Sequence, residues 1–486
     1  MSPGTVLVID VGTSSVRASV VDADSNIRHT HRQAVLPSSP VPGFVEFDPV
    51  ELAEAVMSVA QSSLADAGPV GGVGIANQRA STILWDRHSG IPAGPGIGWQ
   101  DLRTAGMCLM LRDQGVKLAP NLSATKLAAL LDMADPERKG DWCFGTVDSW
   151  VAWTLSEGAA HVTDATNAGV TGLRRIDGED WEPETLEALR IPESCLPRVA
   201  DSSGVVGVAT ALPGAPPIAG MIGDQQASLV GQGCTRPGLA KITFGTGGML
   251  DACTGGVRPA FDIHGDHGTY PIVSWKRGAI TWGVEAVMLS AGTAVEWLRD
   301  DLGIIASSAE SHRIASQCSD TGDVWFVPAL LGLGTPEWDF GARGTLLGLT
   351  RGTGRPEIVR AVLEGIAHRG ADLLEAAEAD TGLQIEALRV DGGMSANDCF
   401  IAALADATGR EIEVSPVLEA TTLGAAYMAG LALGLWGDEE EIADAWEPGK
   451  VVEPSSHASP AKRARWKDAV ARAKNTIPEL SALEFS

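Results

Sequence analysis

Three glycine turns are placed where a chain could hold phosphate: Asp10-Val11-Gly12-Thr13, Gly245-Thr246-Gly247-Gly248 and Asp391-Gly392-Gly393. Each follows a β-rich run that ends in, or leads into, polar residues. Backbone N–H groups in such turns can approach phosphate oxygens because no Cβ intervenes. Threonine hydroxyls add donors, and a carboxylate at a strand end can organise Mg²⁺ through its waters. One glycine turn alone reads as an ordinary structural turn; three of them at strand ends are much harder to assign to accident. The nine histidines and seven cysteines show no H-x-x-x-H or C-x-x-C spacing. Neither a zinc site nor a disulfide framework is expected, and scattered cysteines in odd number fit a reducing cytoplasm.

The elements that must carry these turns follow from local pattern. Residues 5–10 form a short β-branched run and 16–22 a second, so the first turn joins a hairpin. Asp48 is the expected N-cap of a helix with Pro49 at N1 and Glu51 at the capping-box position, its apolar stripe running through Leu52, Val56 and Val59 to about Asp66. A strand over 72–76 delivers Asn77-Gln78-Arg79. Strand, Gly-Thr turn and strand return over 239–254, a weak internal repeat that two unrelated hairpins would also produce. The stretch 259–268 is polar and reads as a boundary or surface connection. Further on, 358–374 predicts an amphipathic helix, 388–391 a strand, and 392–395 a turn into a helix. Residues 463–474 read as a short, solvated surface helix of mixed charge. Alternating strands and helices give an α/β architecture.

At 486 residues the chain is too long for one compact core. Hydrophobic residues at 44% with 20% charged exclude disorder as the bulk state. The net charge of −26 disfavours a general nucleic-acid binder, yet leaves room for a local anion site built from backbone N–H groups. The opening residues 1–5 lack a basic, signal-like start, and the longest mostly apolar run, 423–436, is well short of the ~20 residues a bilayer requires. A cytoplasmic protein with no membrane partner is expected, and that run suits a buried helix.

The segments VLVIDVGTSSVRASVVD (6–22), ITFGTGG (242–248) and LRVDGGMSAN (388–397) resemble the phosphate and adenosine motifs of the actin–hexokinase–sugar kinase superfamily. NQR (77–79), GWQDLRT (98–104), HVTDATNA (161–168), GDQQA (223–227), FVPA (326–329), ARG (342–344) and LGAAY (423–427) narrow the resemblance to the FGGY carbohydrate kinases, closest to the glycerol kinases. It runs in order over about residues 5–440. It implies a two-domain α/β protein of actin/hexokinase-like (ribonuclease H-like) fold with an interdomain catalytic cleft. The expected division is 1–256, 257–445 and a tail helix over 446–486. The implied cofactors are ATP and Mg²⁺, and the implied partner is a small polyol or sugar, in a homodimer or homotetramer. Asp224 becomes the general base, with helix capping as the competing reading of that residue. Gln225 is expected to hydrogen-bond substrate hydroxyls, Arg79 to hold the substrate with a fork of donors, and Trp99, one of fourteen tryptophans, to wall its carbon chain. Gly12, Thr13, Ser14 and Arg17 match the first phosphate loop, although Arg17 also reads as an exposed strand residue. Thr246 and Gly247 match the second loop, Gly392, Gly393 and Asn397 the adenosine site, and Asp10 the residue that orients Mg²⁺.

Three positions depart from the glycerol kinases. Ala80 stands where they have Glu, Asn121 where they have a substrate-contacting Tyr, and Met249 where they have Phe. The reaction class is expected to survive these changes, and the substrate is left open between glycerol and a four- or five-carbon polyol or ketose of the erythritol, xylulose or ribulose type. Two other readings compete. An actin- or chaperone-like ATPase would share the three turns but has no need of Arg79, Trp99 or Asp224. A kinase fold without activity would not need Asp10, Thr13, Asp224 and Thr246 intact.

Overall fold

Short runs rich in β-branched residues give the chain its first sheet. In the computed structural model, which describes residues 4–175, 180–455 and 459–482, β1 (Thr5–Val11) pairs antiparallel with β2 (Ser15–Asp22), and β2 with β3 (Ile27–Ala34). Helix α1 (Pro49–Ala67) starts at Asp48, whose carboxylate accepts the N–H groups of Val50 and Glu51 as its sequence predicts. β4 (Gly72–Asn77) then pairs parallel with β1. Helix α2 (Ser123–Ala134) follows, then β5 (Ser203–Val208) and β6 (Pro217–Gly223), which end at helix α3 (Asp224–Gly231). The six strands lie in the order β5-β6-β4-β1-β2-β3. Leu7, Ile9 and Val11 point to the side covered by α1, and Val6 and Val8 to the other.

A second sheet repeats the scheme. β7 (Ala240–Phe244) and β8 (Gly248–Gly255) form the hairpin, followed by β9 (Tyr270–Arg277) and β10 (Ala279–Met288). Helix α4 (Arg355–Thr381), β11 (Ala387–Asp391), helix α5 (Asp398–Thr408) and β12 (Glu411–Val414) come next. Helix α6 (Ala420–Leu433), β13 (Lys450–Val452) and helix α7 (Pro460–Ala473) complete it. The strand order is β9-β10-β8-β7-β11-β12-β13, and β11 runs parallel to β7 as β4 does to β1. The internal repeat is thus a repeat of topology, hairpin plus parallel neighbour.

Two features differ from expectation, and a third decides between two alternatives. The change of sheet falls after α3 and before β7, ahead of position 256, because β7 bonds to β11 rather than to any strand of the first sheet. Of the two readings of the polar stretch 259–268, the surface connection holds and the boundary does not: it joins β8 to β9 inside the second sheet. Helix α7 is docked, not merely solvated: Trp466 is fully buried, its indole N–H bonds to Asp372, and its ring stacks on His368 at 5.2 Å. Arg463 reaches Asp372 at 2.7 Å and Glu375 at 2.8 Å, so part of the mixed charge is spent on attachment rather than on solvent.

Helix α6 lies across the division. Although it follows six of the second sheet's seven strands, its Leu423, Ala425, Ala426, Met428 and Ala429 cover the first sheet's Val6, Val8, Ala76, Ala219 and Ile222. A Cβ on Gly74 or Gly220 would press into its backbone at Ala425 and Ala429. Where α6 crosses α3, a Cβ on Gly424 would overlap the Ala227 carbonyl, and one on Gly231 the Ala420 carbonyl. Close approach at these points needs glycine.

Candidate active site

The parallel strands β1, β4 and β6 end level with one another: Val11 pairs with Asn77, and Asn77 with Gly223. Their next residues, Gly12, Gln78-Arg79 and Asp224, therefore emerge at one edge, the usual ligand edge of such sheets. The first turn is braced by Gly12 N–H to the Ser15 carbonyl at 3.0 Å and by Gln78, which donates from its backbone to Val11 O at 2.8 Å and from Nε2 to Gly12 O at 3.3 Å. Ser14 is exposed and Thr13 partly so. The Trp99 indole donates to Thr13 Oγ1 at 3.2 Å, which ties the expected apolar wall to the phosphate turn.

In the second sheet Thr243 pairs with Asp391, so the other two turns also emerge together. Gly245 and Thr246 are exposed, and the Thr246 carbonyl accepts N–H groups from Ala291 and Thr293. Gly392, at φ 87°, lies against the Phe244 carbonyl, where a side chain has no room. A Cβ on Gly245 or Gly393 would meet nothing within 4 Å, so both backbones face open space. Asn397, expected at the adenosine site, has a further duty. Its Oδ1 accepts the Phe400 N–H at 3.2 Å as the N-cap of α5, and its Nδ2 donates to Ser311 at 3.0 Å.

Asp224 is the first residue of α3, with Gly223 as the N-cap, so it is not the capping residue. Its Oδ1 accepts the Gln225 N–H at 2.8 Å and lies 3.7 Å from Arg79 Nε. Burial raises its pKa, and the Arg79 charge opposes that rise. Arg79 Nη2 donates to Glu285 on β10 at 2.6 Å, while its Nη1 is buried without a hydrogen-bond partner. Glu285 is pushed up to about 7 by burial, against the pull of Arg79. Asp10 is pushed up to about 6, again by burial, with Arg17 opposing and Asp224 adding to the rise. Arg17 stands opposite Asp10 on β2 and is paired with Glu419. Beneath Gln225, Lys241 and Asp251 form a fully buried pair at 2.6 Å, and Lys241 Nζ also donates to Gln225 Oε1 at 2.9 Å.

Ala80 is buried and holds a left-handed backbone, φ 60°, which alanine rarely adopts. Ser123 of α2 donates to its carbonyl at 3.1 Å. Asn121 is exposed just before α2, and its carbonyl accepts Lys126 Nζ at 2.9 Å. Burial pushes Lys126 down to about 7. Met249 is partly exposed on β8. Glu285, Lys241 and Asp251 are the residues sequence reading missed. A signal for two of them exists: Lys241 and Asp251 sit at mutually paired positions of the hairpin whose turn, 245–248, is legible in the sequence.

The donor set fits a magnesium nucleotide. Among the described residues no three or more acidic, His or Cys side chains form a metal cage. Mg²⁺ does not require one; it is held by one or two carboxylates, waters and phosphate oxygens. Asp10, at a strand end, could serve as such a carboxylate, and Asp391 Oδ1 is buried without a partner.

Residues 5–231 match the N-terminal domain, and 240–433 the C-terminal domain, of the FGGY family of carbohydrate kinases. The chain is 42% identical to glycerol kinase 2 of Thermotoga maritima, over 96% of this chain and 98% of that one. It is also 42% identical to a glycerol kinase of Aromatoleum aromaticum, over 97% and 99%. Plasmodium falciparum glycerol kinase, solved with ADP, superposes with a TM-score of 0.89 at 28% identity, covering 99% and 98% of the two chains. Matched over both halves and carrying its polar groups at the strand ends of both sheets, the chain belongs to the FGGY family of carbohydrate kinases.

Proposed function

We propose that this kinase moves the γ-phosphate of ATP to a hydroxyl of glycerol or a related small polyol or sugar, with Asp224 as the general base. The observation that carries the reading is the Asp224 carboxylate itself. It is held at the end of β6, 3.7 Å from a guanidinium that has a spare donor, and burial makes it a better proton acceptor than a free aspartate. The relatives named glycerol kinases, and the ADP in the Plasmodium structure, support the acceptor and the nucleotide.

The substrate hydroxyl bonds to Asp224, its oxygen attacks the γ-phosphorus, the bond to the β-phosphate oxygen breaks, and the proton passes to the carboxylate. Arg79 and Gln225 orient the substrate, and Trp99 walls its carbon chain. Gly12, Thr13, Ser14, Thr246 and Gly247 offer donors to the phosphates, and Gly392, Gly393 and Asn397 form the edge of the adenosine site. Arg17, already paired with Glu419, acts there through its field. Asp10 would hold Mg²⁺, which when bound offsets phosphate charge.

The test is ADP release in the presence of glycerol, erythritol, xylulose and ribulose, with wild type and Asp224→Asn. Turnover should require an acceptor, and Asp224→Asn should lose about 10²- to 10⁴-fold in kcat with KM for ATP little changed. A variant retaining more than about a tenth of wild-type turnover removes Asp224 from the role. A second reading, a four- or five-carbon polyol or ketose, rests on Ala80, whose small buried side chain leaves volume and removes an acceptor. The cytoplasm is the proposed setting, supported by seven free cysteines. Light scattering tests the proposed homodimer or homotetramer.

A further inference from the structure

Gln225 stands one residue after the proposed base, and its side chain is not free to turn. Lys241 Nζ lies 2.9 Å from Gln225 Oε1 and 3.0 Å from Thr243 Oγ1, and 2.6 Å from Asp251. Lys241 and Asp251 are fully buried and face each other across the β7–β8 hairpin. An ammonium only donates, so the amide atom it meets must be the carbonyl oxygen. A buried lysine needs a counter-charge, and Asp251 supplies it from the neighbouring strand. With Oε1 drawn toward the buried ammonium, Gln225 turns its Nε2 hydrogens to the cleft. Arg79 also only donates, and Ala80 has no side-chain acceptor.

We infer that the buried Lys241–Asp251 pair is a positioning device: it locks the Gln225 amide with Nε2 toward the cleft, so that Gln225 recognises a substrate oxygen solely as an acceptor. Neither member of the pair touches the reacting atoms. They act through Gln225, and the inference rests on the kinase reading only for the identity of the substrate.

The test replaces the pair with Lys241→Met/Asp251→Leu. This removes one charge of each sign, and their opposite effects on Asp224 go together. Apolar replacement of a buried pair is often neutral for stability, so the melting temperature should hold. KM for glycerol, erythritol or xylulose, whichever wild type uses best, should rise about tenfold, with kcat and KM for ATP within about twofold. In a Gln225→Ala background the same replacement should have no further effect, because the pair acts through that side chain. An unchanged acceptor KM, or an equal rise in the Gln225→Ala background, overturns the inference. If wild type phosphorylates none of the three acceptors, the functional reading fails and crystal structures decide the inference. A Gln225 amide that turns away once the pair is gone supports it, and one that keeps its place overturns it. Should the double variant not fold, Gln225→Glu serves instead, since its carboxylate keeps a partner for Lys241 but presents an acceptor to the cleft. An acceptor KM raised more than about tenfold supports the inference, and an unchanged or lowered one overturns it.

Discussion

Asp10 is an acid kept where its charge is costly. Burial raises its pKa to about 6, so the folded chain holds that proton more tightly than the unfolded chain does. The sign follows by linkage: its contribution to stability is full at low pH, falls between about pH 4 and pH 6, and is lost above. Asp10→Asn should therefore melt higher than wild type at pH 7.5 without ligands, with the gap closing toward pH 5, while kcat drops sharply. Calorimetry at the two pH values checks it, and a gap that widens toward acid would sink the argument. Ala80 tests substrate choice. An acceptor missing from a pocket leaves one substrate hydroxyl unpaired, which costs about 1–3 kcal/mol, roughly ten- to a hundredfold in kcat/KM. Ala80→Glu should improve glycerol at the expense of erythritol or xylulose. If glycerol is already best on the panel and the variant leaves it unchanged or worse, a refilled pocket is the right account. That Asp224, Arg79 and the three turns lie at strand ends could be read from sequence, because local pattern and motif agree there. Glu285 lies within a run of four buried residues on β10, and only the packing of β10 against Arg79 gives it meaning. Asn397 matches a motif, but its bond to Ser311 joins residues far apart in the chain and leaves no local signal.

Helices α3 and α6 meet through glycine, and α3 begins with Asp224 and Gln225. Any push on that crossing is carried to the proposed base. Gly424→Ala should lower the melting temperature and reduce kcat together, because the added methyl meets the Ala227 backbone rather than a side chain that could swing aside. Gly256→Ala, which would meet nothing within 4 Å, is the matched control and should change neither. Equal behaviour of the two variants would show that the crossing has slack. Elements with strong local signals, such as α1 with its Asp48 cap and the β1–β2 hairpin, were legible residue by residue. The docking of α7 was not. Its charges match a solvated helix equally well, and the partners of Trp466 and Arg463 lie about ninety residues earlier in the chain. The change of sheet before β7 was missed for the same reason, since the partner that claims β7, β11, comes far later in sequence.

The two sheets are not two separable proteins. The apolar face made by Val6, Val8, Ala76, Ala219 and Ile222 is covered by α6, which the chain supplies only after the second sheet's own parallel strands. Residues 1–238 expressed alone should accordingly be insoluble or bind ANS strongly, and appending 418–437 through a flexible linker should restore solubility. A soluble, ANS-silent fragment would show that the face closes without help. The same geometry has a consequence on the ribosome. The first sheet is complete when β6 leaves the exit tunnel, yet its cover lies about two hundred residues downstream, roughly 10–40 s away at ~5–20 residues per second. During that interval the nascent chain carries a bare, glycine-flattened apolar surface. Its biosynthesis therefore depends on a chaperone or on slow local folding in a way that its finished form gives no hint of.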